Sequence, residues 1–286
     1  MNPLIFAFIT YLTWGLGDVF NAITARSLGA ERALLRVFIV SALLFLPLVP
    51  SHIHELSKAT PFIVIAVIAL GGLQLVGNIA LNKSLRLINA PLALTIFSSY
   101  AALIVLLSVI LFREPITALQ SFYIGLILTG IFLCTYVPIR EKQTNEFRKG
   151  VLFAILGMAC IGIFSTLVKP IIAVIGWFWP IYAFTVWIPV LWWLHLKEKK
   201  QGEHISWKVA LFPVLFTAMF LRIGDFSFNV ALDSGLTPIV APIAGSYPTL
   251  SVLLSYVVFR EKLTVRQTIG ILLALVGIIA LGFVGV

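Results

Sequence analysis

Hydrophobic and polar positions along this chain do not alternate. They fall into long apolar blocks cut by short polar breaks. Each block is close to the roughly 20 residues of helix that cross a bilayer core. Ten spans are predicted, over 4–25, 33–50, 61–82, 90–111, 117–138, 150–171, 177–196, 207–230, 237–258 and 265–285. The breaks carry charge or turn residues: Arg26 to Arg32, Ser51 to Thr60, Lys83 to Asn89, Arg113 to Ile116 and Arg140 to Lys149. In the second half they are Lys169 to Gly176, Lys197 to Ser206, Asp233 to Leu236 and Arg260 to Thr264. A backbone in lipid must satisfy its own hydrogen bonds, which leaves helix bundles or closed barrels. Continuous blocks select helices. The expected fold is an all-α membrane protein of ten transmembrane helices, forming a single integral unit.

Composition agrees. Of 286 residues, 60% are hydrophobic and only 11% are charged, with a mean hydropathy of +1.08. A soluble domain carries about 25% charged residues, so a water-facing shell cannot be built and a soluble enzyme is excluded. The net charge of +9 points to topology and not to nucleic acid, because Lys and Arg collect in cytoplasmic loops. Sorting the 20 basic residues by alternating loops puts 15 on one side, 3 (Lys58, Arg113, Lys169) on the other and 2 (Arg36, Arg222) inside spans. That bias places both termini outside. The first span has no basic leader or small-residue cleavage site, so it is expected to stay. The short loops and lack of targeting segments fit an inner membrane. Cys134 and Cys160 lie in apolar spans and read as small hydrophobes. The sequence has no GxxxxGK[ST] loop to bind ATP. His52, His54, His195 and His204 lie in or beside loops and do not suggest a metal site, and no cofactor is implied.

Shifted by 147 residues, the chain meets itself. Residues 77–130 align without gaps on 224–277, with 21 of 54 positions identical. The matches include Gly77 with Gly224, Asn82 with Asn229, Pro91 with Pro238, Ser99-Tyr100 with Ser246-Tyr247, and Phe112-Arg113-Glu114 with Phe259-Arg260-Glu261. Thr117, Gln120 and Gly130 recur as Thr264, Gln267 and Gly277. The predicted repeats are 1–140 and 147–286, with five spans each. An odd number of spans forces opposite insertion, and corresponding loops do carry opposite charge bias. Inverted repeats are a hallmark of secondary transporters, whose sites lie near the midplane.

Trp14-Gly15 in the first span, Leu34-Leu35-Arg36 at the start of the second, and the FREPITALQ (112–120) and FREKLTVRQ (259–267) turns resemble the drug/metabolite transporter superfamily. The subgroup they resemble is the EamA-type ten-helix transporters. The resemblance covers essentially the whole chain and rests on structural motifs. It departs in the second half, where Ile161-Gly162 stands in place of Trp-Gly and no arginine matches Arg36. It implies a secondary transporter moving a small organic solute (metabolite, amino-acid-like or drug-like) through a central cavity by alternating access. A lipid-linked sugar flippase and a non-transporting scaffold or sensor are the alternatives.

Polar residues deep in the spans are the candidate substrate-binding residues, because intramembrane ionisable groups are costly. Asp18 in Gly15-Leu16-Gly17-Asp18 reads as a proton or solute ligand, or as a packing group paired with Arg36 or Arg222. Arg222 and Asp225, three residues apart, share a helix face and form either an internal ion pair or a solute contact. Asn78 and Asn82, with Asn229, line a polar cavity or bond neighbouring helices. Tyr100 and Tyr247 lie mid-span, and Pro242 and Pro248 interrupt the ninth. Trp14 is either a cavity wall or a lipid contact. Trp177, Trp179, Trp192 and Trp193 read as an interfacial belt, and Arg113, Glu114, Arg260 and Glu261 as turn and capping residues. The GxGD at Gly15 to Asp18 occurs in intramembrane aspartyl proteases, but the Tyr-Asp partner is missing. The partners expected are lipid, a solute and, as a coupling ion, protons; a monomer or homodimer both fit.

Overall fold

The computed structural model describes residues 2–28, 30–88, 90–136, 144–197, 207–259 and 263–284. Among the described residues every regular element is helical. The first span is α1 (Pro3–Leu28); the second is α2 (Ala30–Phe45), continued by short helical turns that include α3 (Val49–His52). Next come α4 (Pro61–Leu87), the pair α5 (Ala90–Ser98) and α6 (Tyr100–Phe112), and α7 (Ala118–Thr135). The second half contains α8 (Asn145–Ile175), α9 (Trp179–Tyr182), α10 (Ile188–Lys197), α11 (Trp207–Ser234), the pair α12 (Thr237–Gly245) and α13 (Tyr247–Phe259), and α14 (Val265–Val284).

Among the described residues, nine of the ten predicted spans are helical runs long and apolar enough to cross a bilayer. The predicted seventh, 177–196, consists of α9, a 3₁₀ segment Ala183–Trp187 and α10 in unbroken succession. Proline accounts for part of this, because Pro180 and Pro189 lack the N–H that a continuous helix needs. The sixth span is longer than the sequence predicts. Thr144 caps α8, accepting a bond from Phe147 N at 3.1 Å, so the helix starts five residues early.

The caps explain the repeated turn motif. Thr117 and Gln120 form a reciprocal capping box on α7, with Gln120 N donating to Thr117 Oγ1 and Thr117 N to Gln120 Oε1. Thr264 and Gln267 do the same at α14. The Thr-x-x-Gln spacing lets each residue satisfy the other's orphan N–H. Arg113 precedes the first box in the left-handed region at φ 53° and ends α6. Arg260, Glu261 and Lys262 lie outside the described residues.

The halves pack as mates. α1 lies against α11 and α4 against α8, while α7 lies against α14. These are the pairings that a two-fold between inverted repeats requires. Small residues let backbones approach, as membrane helix packing favours. A Cβ on Gly130 would sit 2.6 Å from Ala274 N and Gly270 O, and one on Gly270 would sit 2.6 Å from Cys134 N. The outer surface is apolar: Phe62, Val265 and Phe283 are among the most exposed side chains. In lipid such exposure carries no hydrophobic cost.

The fourth and ninth spans are both broken, at Ser99 and Ser246, which are 147 residues apart. At each break the helix tightens to three-residue spacing. Ser99 N donates to Ile96 O and Ala102 N to Ser99 O; Ser246 N donates to Ile243 O and Thr249 N to Ser246 O. Pro248 lies just after the second break, at a helix start where its missing N–H costs little.

Candidate functional site

The sequence-predicted residues converge mainly on the α1–α11–α13 side of the bundle. α1 and α11 meet closely because Gly224 carries no side chain: a Cβ there would lie 2.4 Å from Trp14 Cδ1. Gly15 and Gly17 similarly admit Leu250 and Leu221. Thr10 Oγ1 donates to Gly224 O at 3.3 Å across this contact.

Asp225 is the hub. Its Oδ1 accepts from Trp14 Nε1 at 3.0 Å and its Oδ2 from Arg222 Nη1 at 2.8 Å. One carboxylate thus joins a tryptophan of the first repeat to an arginine of the second. Arg222 is buried, with its guanidinium 4.3 Å from the Phe184 ring centroid and 5.1 Å from that of Phe38. Arginine tolerates this because its flat, weakly hydrated cation stacks on aromatic faces. Its Nε has no partner among the described residues.

Trp14 also packs edge-on to Tyr247, with centroids 5.5 Å apart, and on Phe228 at 5.3 Å. Tyr247 begins α13, directly after the break, and packs against the apolar cluster that contains Tyr100, the first residue of α6 after the matching break. The two broken spans therefore bring their tyrosines together at the centre.

Asp18 lies beside Ser251. Ser251 Oγ is 3.4 Å from Asp18 Oδ2, 3.4 Å from Gly15 O and 3.2 Å from Tyr247 O. A hydroxyl has one proton to donate. Here three acceptor oxygens surround that single donor, and Asp18 itself is half-buried.

The asparagines behave differently. Asn229 is fully buried and donates to Trp177 O at 2.9 Å, tying α11 to the turn after α8. Asn78 donates to Gln74 O in its own helix at 2.9 Å. Asn82 is half-buried one turn further along α4. Trp177 and Trp179 are not a surface belt either. Trp177 packs on Phe226 and His52, and Trp179 Nε1 donates to His52 O at 2.8 Å. Trp192 and Trp193 are exposed, as a belt requires.

Glu114 and Lys169 were legible only as turn and loop charges, yet they form an ion pair between repeats. Sequence distance hides this: the pair is 55 residues apart.

Two inverted five-helix repeats with discontinuous fourth and ninth spans, and a polar cluster between them, define a multi-pass membrane protein with the architecture that secondary transporters use. The family model of the EamA-like transporter family matches residues 1–136 and again 148–283, and the chain belongs to that family. Over 67 residues the chain is 37% identical to an uncharacterised protein of Methanocaldococcus jannaschii, a match covering 23% of this chain and 49% of that protein. The chain thus spans about half the length of this curated relative. A crystal structure, described only as that of a protein, superposes with a TM-score of 0.80 at 16% identity. It covers 99% of this chain and 97% of the other, a likeness of fold.

Proposed function

We propose that this protein is a secondary transporter that moves a small organic solute by alternating access, with Trp14, Asp18, Tyr100, Asp225 and Tyr247 forming the solute and coupling site. The carrying observation is the Asp225 hub. A single carboxylate linking both repeats must exchange partners whenever the repeats rock against each other, which makes it a natural point for a solute to enter the network. Tyrosine and tryptophan rings offer faces to a solute and polar edges to orient it. Arg222 and Asn229 serve a different role: Arg222 Nη1 is held by Asp225 and Asn229 Nδ2 by Trp177 O, so they position the site. Asn78 and Asn82 extend the polar path on the opposite side, along α4.

Proton coupling runs through Asp18. The surplus of acceptor oxygens around Ser251 is relieved when Asp18 takes a proton and becomes a donor itself. The orientation that fits the basic loops puts both termini outside an inner membrane. The family assignment does not favour a lipid-linked sugar flippase or a scaffold.

A thermal-shift screen of the detergent-purified protein against amino acids, nucleosides, sugars and amines tests the reading. A solute at about 100 times its Kd stabilises the native state by about 2.7 kcal/mol. One class is expected to shift the wild type and to be weakened about tenfold or more in Asp225→Asn. A class that shifts both proteins equally would remove Asp225 from the site.

A further inference from the structure

We infer that Glu114, Lys169 and Thr237 form a latch that holds the N-terminal end of the bundle shut. The inference rests on the transport reading above.

Glu114 follows α6 in the first repeat and is 9% exposed. Lys169 lies near the end of α8, in the second repeat, and its ammonium pairs with Glu114 Oε1. The same ammonium donates to Gly235 O at 2.8 Å and to Thr237 Oγ1 at 3.2 Å. Glu114 Oε2 accepts from Thr237 N at 3.0 Å, and Oε1 lies 3.3 Å from Thr237 Oγ1. Glu114 therefore satisfies an orphan amide at the start of α12, where a negative group is favoured. One carboxylate of the first repeat is thus held by a lysine and a helix start of the second. Gly235 packs against Pro3, which puts the cluster at the N-terminal end of α1, opposite the basic loops.

At the positions that a 147-residue shift pairs with these, Glu114 recurs as Glu261, but Lys169 corresponds to Ala22 and Thr237 to Ala90. The ammonium and the hydroxyl of this latch therefore belong to one repeat only. Opening the N-terminal end separates a hydrogen-bonded ion pair, and the ligand-free population follows the cost of that separation.

Further contacts between the repeats join other elements. Trp179 Nε1 donates to His52 O, and Tyr182 OH donates to Ala42 O at 3.1 Å, linking the second and seventh spans. These links are uncharged, so the latch is set apart by its ion pair.

The test is thiol accessibility without solute. Ser246→Cys, placed in a Cys134→Ala, Cys160→Ala background, puts a reporter at a fully buried position nine residues inward from Thr237. A membrane-impermeant methanethiosulfonate is applied to right-side-out and to inside-out vesicles. Glu114→Gln and Lys169→Met are each expected to speed labelling from the N-terminal face on the order of tenfold, within the usual range of coupling between states. Lys169→Arg, which keeps the pair, is expected to label at the parent rate. Melting temperatures of the same variants separate gating from folding. Unchanged labelling from that face with a lowered melting temperature would make the cluster a structural staple and overturn the latch. A reporter closed to both faces in every variant would overturn the pathway itself, and the latch with it.

Discussion

At the scale of single residues, the site depends on pairs that cannot be broken one member at a time. Arg222 sits between two aromatic rings with Asp225 as its counter-ion. Removing one partner of a buried pair leaves an uncompensated charge and costs about 3–5 kcal/mol, while replacing both is far milder. Asp225→Asn is therefore expected to destabilise the protein strongly, and Arg222→Met/Asp225→Asn to recover much of the loss, read by unfolding in detergent. Gly224→Ala drives a methyl into Trp14 and is expected to cost about 1–3 kcal/mol as an overpacking change. Gly125→Ala, with open space around it, is the neutral control. The residues of this cluster were legible in the sequence because charge and aromatic polarity stand out inside apolar spans. Their partners were less so. Asp18 and Arg222 read as one possible pair, but Arg222 is taken by Asp225 three residues away. Asn229 carries the same polarity signal as Asp225 and is spent on a backbone carbonyl instead. Composition cannot tell these two fates apart, since only packing decides which polar group meets a helix end.

At the scale of elements, the repeated FRE turn shows how a motif can be conspicuous and structural. Its Thr and Gln cap α7 and α14 reciprocally. Thr117→Ala is expected to cost about 1 kcal/mol, the usual loss for an N-cap, measured as a lowered melting temperature. The contact between α7 and α14 is less forgiving. A methyl at Gly270 meets backbone atoms of Cys134 and Gly130, which cannot rotate away. Gly270→Ala is expected to destabilise more than Gly282→Ala on the same helix, where nothing lies within 4 Å. Span number and order were legible from the length of each apolar block. The breaks were not all placed. Pro242 and Pro248 advertise a disruption in the ninth span, but the tightened turns fall at Ser246 and at Ser99, where the fourth span has no proline nearby to signal it. The internal repeat carries that information, since Ser-Tyr recurs in register. The broken seventh span reads as an ordinary apolar block because its 3₁₀ segment is as hydrophobic as a helix.

At the scale of the whole molecule, the two halves share a fold and differ in where charge sits. Trp14, Asp18, Arg222, Asp225 and Ser251 cluster where α1, α11 and α13 meet. Their repeat mates are Ile161, Ser165, Leu75, Asn78 and Ile104, with no charge among them. In the proposed mechanism, symmetry supplies the framework for alternating access and its violation supplies the chemistry. Solute identity has no comparable signature, because a few aromatic and carboxylate groups fit several solute classes. The central claim is transport through this cluster, coupled at Asp18. Its most direct test is uptake into proteoliposomes of the solute class found by thermal shift, with and without an imposed pH gradient. The account predicts that the wild type accumulates solute above equilibrium only with the gradient, while Asp18→Asn equilibrates it without accumulation. Accumulation by Asp18→Asn equal to that of the wild type, or wild-type uptake no greater than that of empty liposomes, would contradict it.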